Sequence, residues 1–201
     1  MVIKSGALLL GLNKMDSYEY TVDWFSHNIP NIEKHLPFKF NKCLEIGCHE
    51  GRSTVYWISN NINLHGELFC IDTWDSVHVY NKFINNIKVA SDATSIKLID
   101  IIIGYSNEIL PTLQLDSFDF IYIDGDHRAE AVYLDLVLSY KLGINNALIL
   151  CDDYLLHKEF PDLYKDLEND YPYNGINKFI EEYKDKIQIV FSDYQILIRK
   201  L

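Results

Sequence analysis

The chain has 201 residues, of which 48% are hydrophobic and 13% aromatic, and it carries a formal net charge of -11. This length and apolar content suffice for one sizeable core, so we expect a single domain over residues 1–201. The acidity and the lack of a Lys/Arg cluster argue against a nucleic-acid partner.

The cysteines and the N-terminus indicate a cellular compartment. The four cysteines form no C-x-x-C pair, and three of them lie in apolar runs, as reduced and buried thiols do. The N-terminal stretch GALLLGL is short for a signal core, and no stretch is long enough to span a membrane. We therefore expect a soluble, cytoplasmic protein in a reducing environment, without a membrane partner.

Residues 1–40 form a separate section because they lack the alternation seen later in the chain. The stretch YEYTVDWFSHNIPNIEKHL carries aromatic and histidine side chains with a helical pattern. We expect an N-terminal helical cap, which either packs on the edge of the sheet or forms a flap over the ligand crevice.

From Lys42 onward, short apolar runs alternate with amphipathic segments, which predicts a core over residues 41–201. The predicted strands cover 42–47, 66–72, part of 96–104, 118–124 and 146–153, and the predicted helices cover 52–62, 79–90, 128–143 and 176–186. Residues 187–200 predict two strands around a tight turn near Ser192, and so short a turn permits only antiparallel pairing. The fold class is thus α/β, a three-layer sandwich with a mostly parallel sheet and one reversed strand near the C-terminus.

The loop after the first strand, EIGCHEGRST, has the features of a ligand-binding turn. Gly47 and Gly51 allow a tight turn and a close approach of the backbone to a ligand. The helix amides at Arg52–Thr54 would face an anionic group. Because His49 stands where the dinucleotide fingerprint has a further glycine, a small carboxylate fits better than a diphosphate.

The second predicted strand ends at Asp72, about 20 residues beyond the glycine loop. An acidic residue there can bind both hydroxyls of a ribose. The alternative is that Asp72 only caps the following segment.

Acidic residues also end the fourth and fifth predicted strands. Asp124 and Asp126 follow FIYI, and Asp152 and Asp153 follow LILC. Taken alone, these carboxylates are solvated loop charges, a metal site or acid/base catalysts.

In order, the motifs LEIGCHEGRST, CIDTW, IIIGYSNEILPTL, FDFIYIDGDH and LILCDDY resemble those of class I S-adenosylmethionine-dependent methyltransferases. The likeness is to the branch of catechol, caffeoyl-coenzyme A and macrocin O-methyltransferases. It implies a Rossmann-like, seven-stranded sheet with the last strand inserted antiparallel. The cofactor residues that it implies, with the motif neighbours Cys48 and Thr73 included, are Glu45, Gly47, Cys48, Gly51, Ser53, Asp72, Thr73, Trp74, Tyr105, Ser106 and Asp124.

Within that set the resemblance gives individual residues different roles. The loop glycines and Glu45 would shape the cofactor loop, and Ser53 would bind the methionine carboxylate. Asp72 would hold the ribose, whereas Tyr105 and Ser106 would border the adenine. Trp74 is assigned to the adenosine only because it is close to Asp72 in the chain.

The resemblance further implies a divalent cation, as in the metal-dependent members of the branch. Asp124, Asp152 and Asp153 stand at the matching positions, and hard oxygen ligands suit Mg²⁺. The cation would lower the pKa of the acceptor hydroxyl. His127 stands where relatives carry a basic residue and would act as general base.

Two simpler interpretations concern the same residues. Asp124 would mainly order the cofactor loop, and the acidic pair after the fifth strand would be a solvated turn. Asp126 is either a further ligand or a surface charge, and His49 and His157 are loop residues.

Three functions follow as hypotheses. The first is an O-methyltransferase that acts on a small-molecule hydroxyl. The second is a cofactor-binding domain without catalysis, or a partner subunit, and the third is a nicotinamide-dependent oxidoreductase. The fourth strand is followed by DGDH and not by the proline-containing motif of base-amine methyltransferases, which again argues against nucleic acid. The acceptor and the oligomeric state, a homodimer included, stay open.

Overall fold

Seven strands form one sheet in the part of the chain that the computed structural model describes, residues 17–94, 96, 98–164 and 170–201. The strands are β1 (Phe40–Ile46), β2 (Ile62–Asp72), β3 (Leu98–Ile103), β4 (Phe118–Ile123), β5 (Gly143–Cys151), β6 (Ile187–Ser192) and β7 (Ile196–Lys200). The helices are α1 (Ile29–His35), α2 (Arg52–Asn60), α3 (Val77–Thr94), α4 (Ser106–Ile109), α5 (Ala129–Leu142), α6 (Leu156–Glu159), α7 (Pro161–Tyr164) and α8 (Pro172–Tyr183). Two 3-10 turns cover Ser26–Asn28 and Leu110–Thr112.

The strand order is β3-β2-β1-β4-β5-β7-β6. Strands β1 to β5 pair in parallel, whereas β7 pairs antiparallel with both β5 and β6. This confirms the predicted fold class, including the reversed strand near the C-terminus. The order reverses between β1 and β4, and ligands of open α/β sheets bind beyond the carboxyl ends of the strands at such a point.

The sheet is covered on both faces, as the continuous apolar character of its strands predicts. On one face α1, α2 and α3 pack through Ile32, Trp57 and Phe83, which are all 1% exposed or less. On the other face α5 and α8 pack through Leu136 and Phe179, which are fully buried. The carboxyl ends of the strands are left for the loops that carry the predicted site.

The structure shifts some predicted element boundaries. Strand β2 begins at Ile62 and not at residue 66, and β5 begins at Gly143 and not at residue 146. Gly143 ends α5 as predicted, but in an extended conformation that leads directly into β5. A Cβ atom at Gly143 would lie 2.9 Å from the Ala147 Cβ, so this close approach is open only to glycine.

The predicted N-terminal helix is much shorter than the pattern indicates. Residues 1–16 of the expected cap lie outside the described residues, and helix covers only Ile29–His35 together with the preceding 3-10 turn. Side chains hold the segment before it: Asn86 accepts from the Glu19 N–H at 2.7 Å, and Glu50 accepts from the Thr21 N–H and hydroxyl at 2.5 and 2.6 Å. Among the described residues, no helix combines the length and apolar character that crossing a membrane requires.

Candidate active site

The glycine loop between β1 and α2 packs directly on the end of β4. Gly47 has φ +83°, and a Cβ atom there would lie 1.9 Å from the Asp124 carbonyl oxygen. The Asp124 N–H donates to the Ile46 carbonyl at 2.8 Å, and the Gly47 N–H donates to the Ile71 carbonyl at 2.9 Å. Gly51, with φ +81°, is the N-cap residue of α2. The chain therefore brings the predicted cofactor loop and the first predicted catalytic carboxylate into contact.

Asp72 organises this loop through three backbone amides. One carboxylate oxygen accepts from the Cys48 and His49 N–H groups at 2.8 Å each, and the other accepts from the Trp74 N–H at 2.8 Å. The Trp74 indole N–H in turn donates to the His49 carbonyl at 2.9 Å. Trp74 is only 8% exposed and packs on Phe83, with ring centroids 4.5 Å apart. The carboxylate expected to hold a ribose thus also orders the loop beside it.

Glu45 lies fully buried beneath the loop. It accepts hydrogen bonds from the Ser53 and Thr54 hydroxyls at 2.5 and 2.6 Å. Burial raises the pKa of Glu45 to about 7. Because the Ser53 hydroxyl faces Glu45, the parts of α2 available to an anionic ligand are its first-turn N–H groups.

The cysteine of the loop faces the core. Cys48 is 2% exposed, and its sulfur lies within 4.8 Å of the Cys70 sulfur and a Glu45 oxygen. Burial raises the pKa of both thiols, whereas a thiol binds metal as the thiolate. The group therefore has the chemistry of packed core thiols, and Cys48 reaches a ligand through its backbone only.

The end of β3 supplies the predicted adenine border. Tyr105 is 61% exposed at the N-cap of α4, Ser106 begins that helix, and Thr73 is half-buried after β2. The Ser106 hydroxyl lies near Asp135 of α5, which is 1% exposed, and partly offsets the effect of burial on the pKa of that carboxyl. Burial raises the pKa of Asp135 to about 6. The sequence interpretation missed Asp135, although an acidic residue between the apolar positions 132 and 136 of a helix is the signal that marks it.

Three side chains converge at the ends of β4 and β5. The His127 Nε2 lies 3.0 Å from Asp153 Oδ2 and 3.7 Å from Asp124 Oδ1. One ligand atom from each of the three lies within 4.8 Å of the others. Asp153 has φ +57°, in the left-handed region, and its other oxygen accepts from the Tyr194 hydroxyl.

The charged side chains of this cluster shift one another's pKa values. The carboxylates of Asp124 and Asp153 raise the pKa of His127 to about 9, so the imidazole holds a proton at neutral pH. Burial and the neighbouring Asp152 raise the pKa of Asp124. A general base must be neutral before it accepts a proton, so the predicted role of His127 requires a change in this environment.

Asp152 is buried beside the cluster. It is 8% exposed, and its carboxylate accepts from the Asn28 amide at 3.2 and 3.5 Å, from the Asp153 N–H at 2.9 Å and from the Tyr122 hydroxyl. Tyr122 also reaches Asp124 at 3.3 Å. Asn28 and Tyr122 were absent from the sequence interpretation, since Asn28 lies 124 positions from Asp152 in the chain.

The remaining polar candidates lie outside the cluster. Asp126 is a surface charge that accepts from the Arg128 backbone and guanidinium. His49 is an exposed loop residue with φ +47°. His157 does not lie in a loop, as predicted, but in the short helix α6. Its ring stacks on Tyr171, with ring centroids 4.8 Å apart.

The segment before α1 crosses the same end of the sheet. Trp24, which is 67% exposed, lies 5.2 Å from the His49 ring, and His27 lies 4.9 Å from the Tyr194 ring. Asn28 continues this path to Asp152. The described part of the N-terminal section therefore packs on the core and also borders the site.

This strand order and the loops at its crevice define the class I S-adenosylmethionine-dependent methyltransferases. The chain belongs to the methyltransferase domain family, whose model matches residues 44–154. No curated protein matches the chain by sequence.

Solved structures share the fold at low sequence identity. The O-methyltransferase from Bacillus cereus, in complex with S-adenosylhomocysteine, aligns with a TM-score of 0.63 at 18% identity, over 86% of this chain and 78% of that chain. TomG from Streptomyces achromogenes is an O-methyltransferase of tomaymycin synthesis, in complex with S-adenosylmethionine. It aligns with a TM-score of 0.64 at 16% identity, over 85% of this chain and 76% of that chain. The N-methyltransferase NodS from Bradyrhizobium japonicum aligns with a TM-score of 0.56 at 12% identity, over 87% of this chain and 85% of that chain. Since oxygen and nitrogen methylation both occur among these neighbours, the fold does not determine the acceptor atom.

Proposed function

We propose that this methyltransferase transfers the methyl group of S-adenosylmethionine to a hydroxyl of a small molecule, with a divalent cation at the ends of β4 and β5. The observation that carries the proposal is the contact between the cofactor loop and the acidic cluster. Gly47 touches the backbone of Asp124, whose side chain belongs to the cluster with His127 and Asp153. Methyl donor and acceptor would therefore meet within a few ångströms of that carboxylate.

The chain's own residues divide into a donor side and an acceptor side. On the donor side, the amides of the first turn of α2 would receive the methionine carboxylate, and Asp72 would receive the ribose hydroxyls. Tyr105 and Ser106 would border the adenine. The Gly47 backbone would lie closest to the sulfonium group.

On the acceptor side, the carboxylates of Asp124 and Asp153 fit a divalent cation, because hard oxygen ligands are what Mg²⁺ and Mn²⁺ bind. When bound there, the cation would lower the pKa of the acceptor hydroxyl and orient it. The hydroxyl oxygen would attack the methyl carbon as the carbon–sulfur bond breaks, so that the sulfonium becomes the thioether of S-adenosylhomocysteine. The hydroxyl proton would pass to His127, which must first release the proton that it holds at neutral pH.

Two features support a small molecule as the acceptor. The net charge of -11 disfavours polyanionic substrates. An exposed aromatic side chain, Trp24, lies beside His49 of the cofactor loop and suits a planar acceptor.

The proposal is tested by methyl transfer from labelled S-adenosylmethionine to a panel of phenolic and glycosidic hydroxyl compounds, before and after treatment with EDTA. We expect transfer that EDTA abolishes and a divalent cation restores, and at least a hundredfold loss in Asp153→Ala. Asp185→Ala, an exposed position in the turn between α8 and β6, serves as control. Transfer that is insensitive to EDTA would refute the cation, and intact cofactor binding without transfer to any acceptor would favour a non-catalytic binding domain.

A further inference from the structure

Four aromatic rings from the segment after β5 and the start of α8 stack on one another. The His157 ring stacks on Tyr171, with centroids 4.8 Å apart, and lies 4.7 Å from the Tyr173 ring. Tyr173 in turn stacks on Tyr154, with centroids 5.1 Å apart. We call these four side chains the aromatic row. All four residues are half-buried, so the row is a partly accessible aromatic surface.

Hydrogen bonds to α8 hold one part of the row in place. The Tyr154 hydroxyl donates to Asn177 Oδ1 at 3.2 Å, and the Asn177 amide donates to the Tyr173 carbonyl at 2.7 Å. Both Asn177 and Tyr173 belong to α8. The row is therefore ordered by the fold itself, before any ligand binds.

One end of the row is attached to the loop that carries Asp153 of the acidic cluster. Tyr154 directly follows Asp153 in the chain. The Leu156 N–H, at the start of α6, donates to the Asp153 carbonyl at 3.2 Å, and the next residue of that helix is His157. The backbone of the cluster therefore positions this imidazole.

The other end is attached to the start of α5. Asp170 directly precedes Tyr171, and its carboxylate accepts from the Ala129 N–H at 2.8 Å. Ala129 is the first residue of α5 and lies two residues beyond His127. The row thus connects the loops after β4 and β5 that carry the cluster, and a ring-bearing acceptor bound at the cluster can pack along it.

The surroundings of His157 determine where its imidazole carries a proton. Its Nδ1 is buried and has no hydrogen-bond partner among the described residues. An N–H at that nitrogen would be an unsatisfied buried donor, which is unfavourable. Burial and the neighbouring Lys158 also lower the pKa of His157. From these contacts we assign a neutral imidazole with its proton on Nε2, which makes Nε2 a hydrogen-bond donor.

We propose that His157 is a specificity-determining residue for the acceptor, an inference that rests on the proposed function. Its Nε2–H donates to a carbonyl oxygen of the acceptor, whose ring packs along the aromatic row. The acceptor class is a hydroxyaryl compound that carries an uncharged carbonyl group away from the hydroxyl that is methylated. A carboxylate is disfavoured, because the donor is neutral and the protein carries a net charge of -11.

The first test concerns the imidazole and needs no acceptor. Protein with isotope-labelled histidine is measured by long-range proton–nitrogen NMR, and the His157 signals are assigned with His157→Phe. We expect the neutral tautomer with the proton on Nε2 at pH 7. An imidazolium at pH 7, or a proton on Nδ1, would overturn the inference.

The second test compares methyl transfer to dihydroxyphenyl compounds that differ in one group. The panel contains dihydroxybenzene, the free acids dihydroxybenzoic, dihydroxyphenylacetic and dihydroxyphenylpropanoic acid, and their methyl esters. We expect at least one ester to exceed both dihydroxybenzene and its own acid at least tenfold in kcat/KM. His157→Phe keeps a ring but removes the donor, so the preference should disappear through a higher KM, with kcat/KM for dihydroxybenzene within about threefold.

The control is His65→Phe, an exposed histidine of β2, which should keep the preference for the ester. His157→Leu replaces His157→Phe if the latter does not fold. A preference that survives the loss of the donor, or no preference in the unmodified protein, would overturn the role of His157 and leave the proposed function intact. Transfer to no compound of the panel, while S-adenosylhomocysteine binds, would reject both the acceptor class and the proposed function.

Discussion

Two carboxylates of the core, Glu45 and Asp135, are both buried but differ in their hydrogen bonds. Glu45 accepts a hydroxyl hydrogen bond at each oxygen. The Ser106 hydroxyl lies near Asp135, whose Oδ2 has no hydrogen-bond partner among the described residues. An unpaired buried oxygen makes the charged form costly, so the titration of Asp135 should affect stability.

The charge of Asp135 should make the protein less stable as the pH rises. Its pKa of about 6 lies above the ordinary value of 3.8, so the native state keeps a proton that the unfolded state has lost. Stability from this group is therefore present at low pH and is lost as the pH rises through 6, by on the order of 1 kcal/mol between pH 5 and pH 8. In Asp135→Asn that loss should vanish, as measured by urea unfolding at both pH values. The exposed Asp185→Asn is the control, and an unchanged pH dependence in Asp135→Asn would contradict this account.

At the residue scale, the sequence predicts where a residue lies in the fold better than it predicts the hydrogen-bond partners of its side chain. Gly47, Asp72 and Asp124 stand at strand ends, and a parallel sheet brings such ends to one edge whatever the loops do. The hydrogen bond from Asn28 to Asp152 depends on the path of the N-terminal segment, which no local pattern encodes. Asp152 and His127 therefore differ most from their predicted surroundings.

At the element scale, the contact between the β1–α2 loop and the end of β4 sets the geometry of the site. We predict that Gly47→Ala abolishes cofactor binding and destabilises the fold by about 2 kcal/mol or more, since a Cβ atom would meet the Asp124 carbonyl at 1.9 Å. Gly51→Ala is the matched control, because φ is similar but the nearest atom is a Phe83 side-chain carbon at 3.0 Å. Calorimetry with S-adenosylhomocysteine and urea unfolding measure both effects. Equal losses in the two variants would mean that φ alone, and not the contact with β4, is responsible.

The predictability of the elements follows from their periodicity. Strands β1 and β4 and helices α2 and α5 show clear patterns and were placed within about two residues. The section before α1 was predicted as helix because its aromatic residues recur with helical spacing. In the structure, the distant side chains of Asn86 and Glu50 accept from backbone amides there, and no local sequence pattern indicates such bonds.

For the whole molecule, the order and spacing of the motifs predict the fold, whereas the side-chain contacts of the site depend on how the elements pack. Five parallel strands followed by an antiparallel pair admit few arrangements, and the sheet has the seven strands and the inserted antiparallel last strand that the motifs imply. No comparable sequence constraint determines which of the polar side chains near the ends of β4 and β5 face one another. Those contacts arise only when the N-terminal section, β4 and the loop after β5 are assembled.

The cofactor site is the feature on which all the proposals depend, and Asp72 joins its parts through three backbone amides. The most direct test is a calorimetric titration with S-adenosylhomocysteine of the unmodified protein, Asp72→Ala and Asp75→Ala, the last being an exposed carboxylate three residues away. We predict saturable binding of one ligand per chain, weakened at least tenfold in Asp72→Ala and little changed in Asp75→Ala. The absence of binding at millimolar ligand, or equal binding by the two variants, would contradict the account.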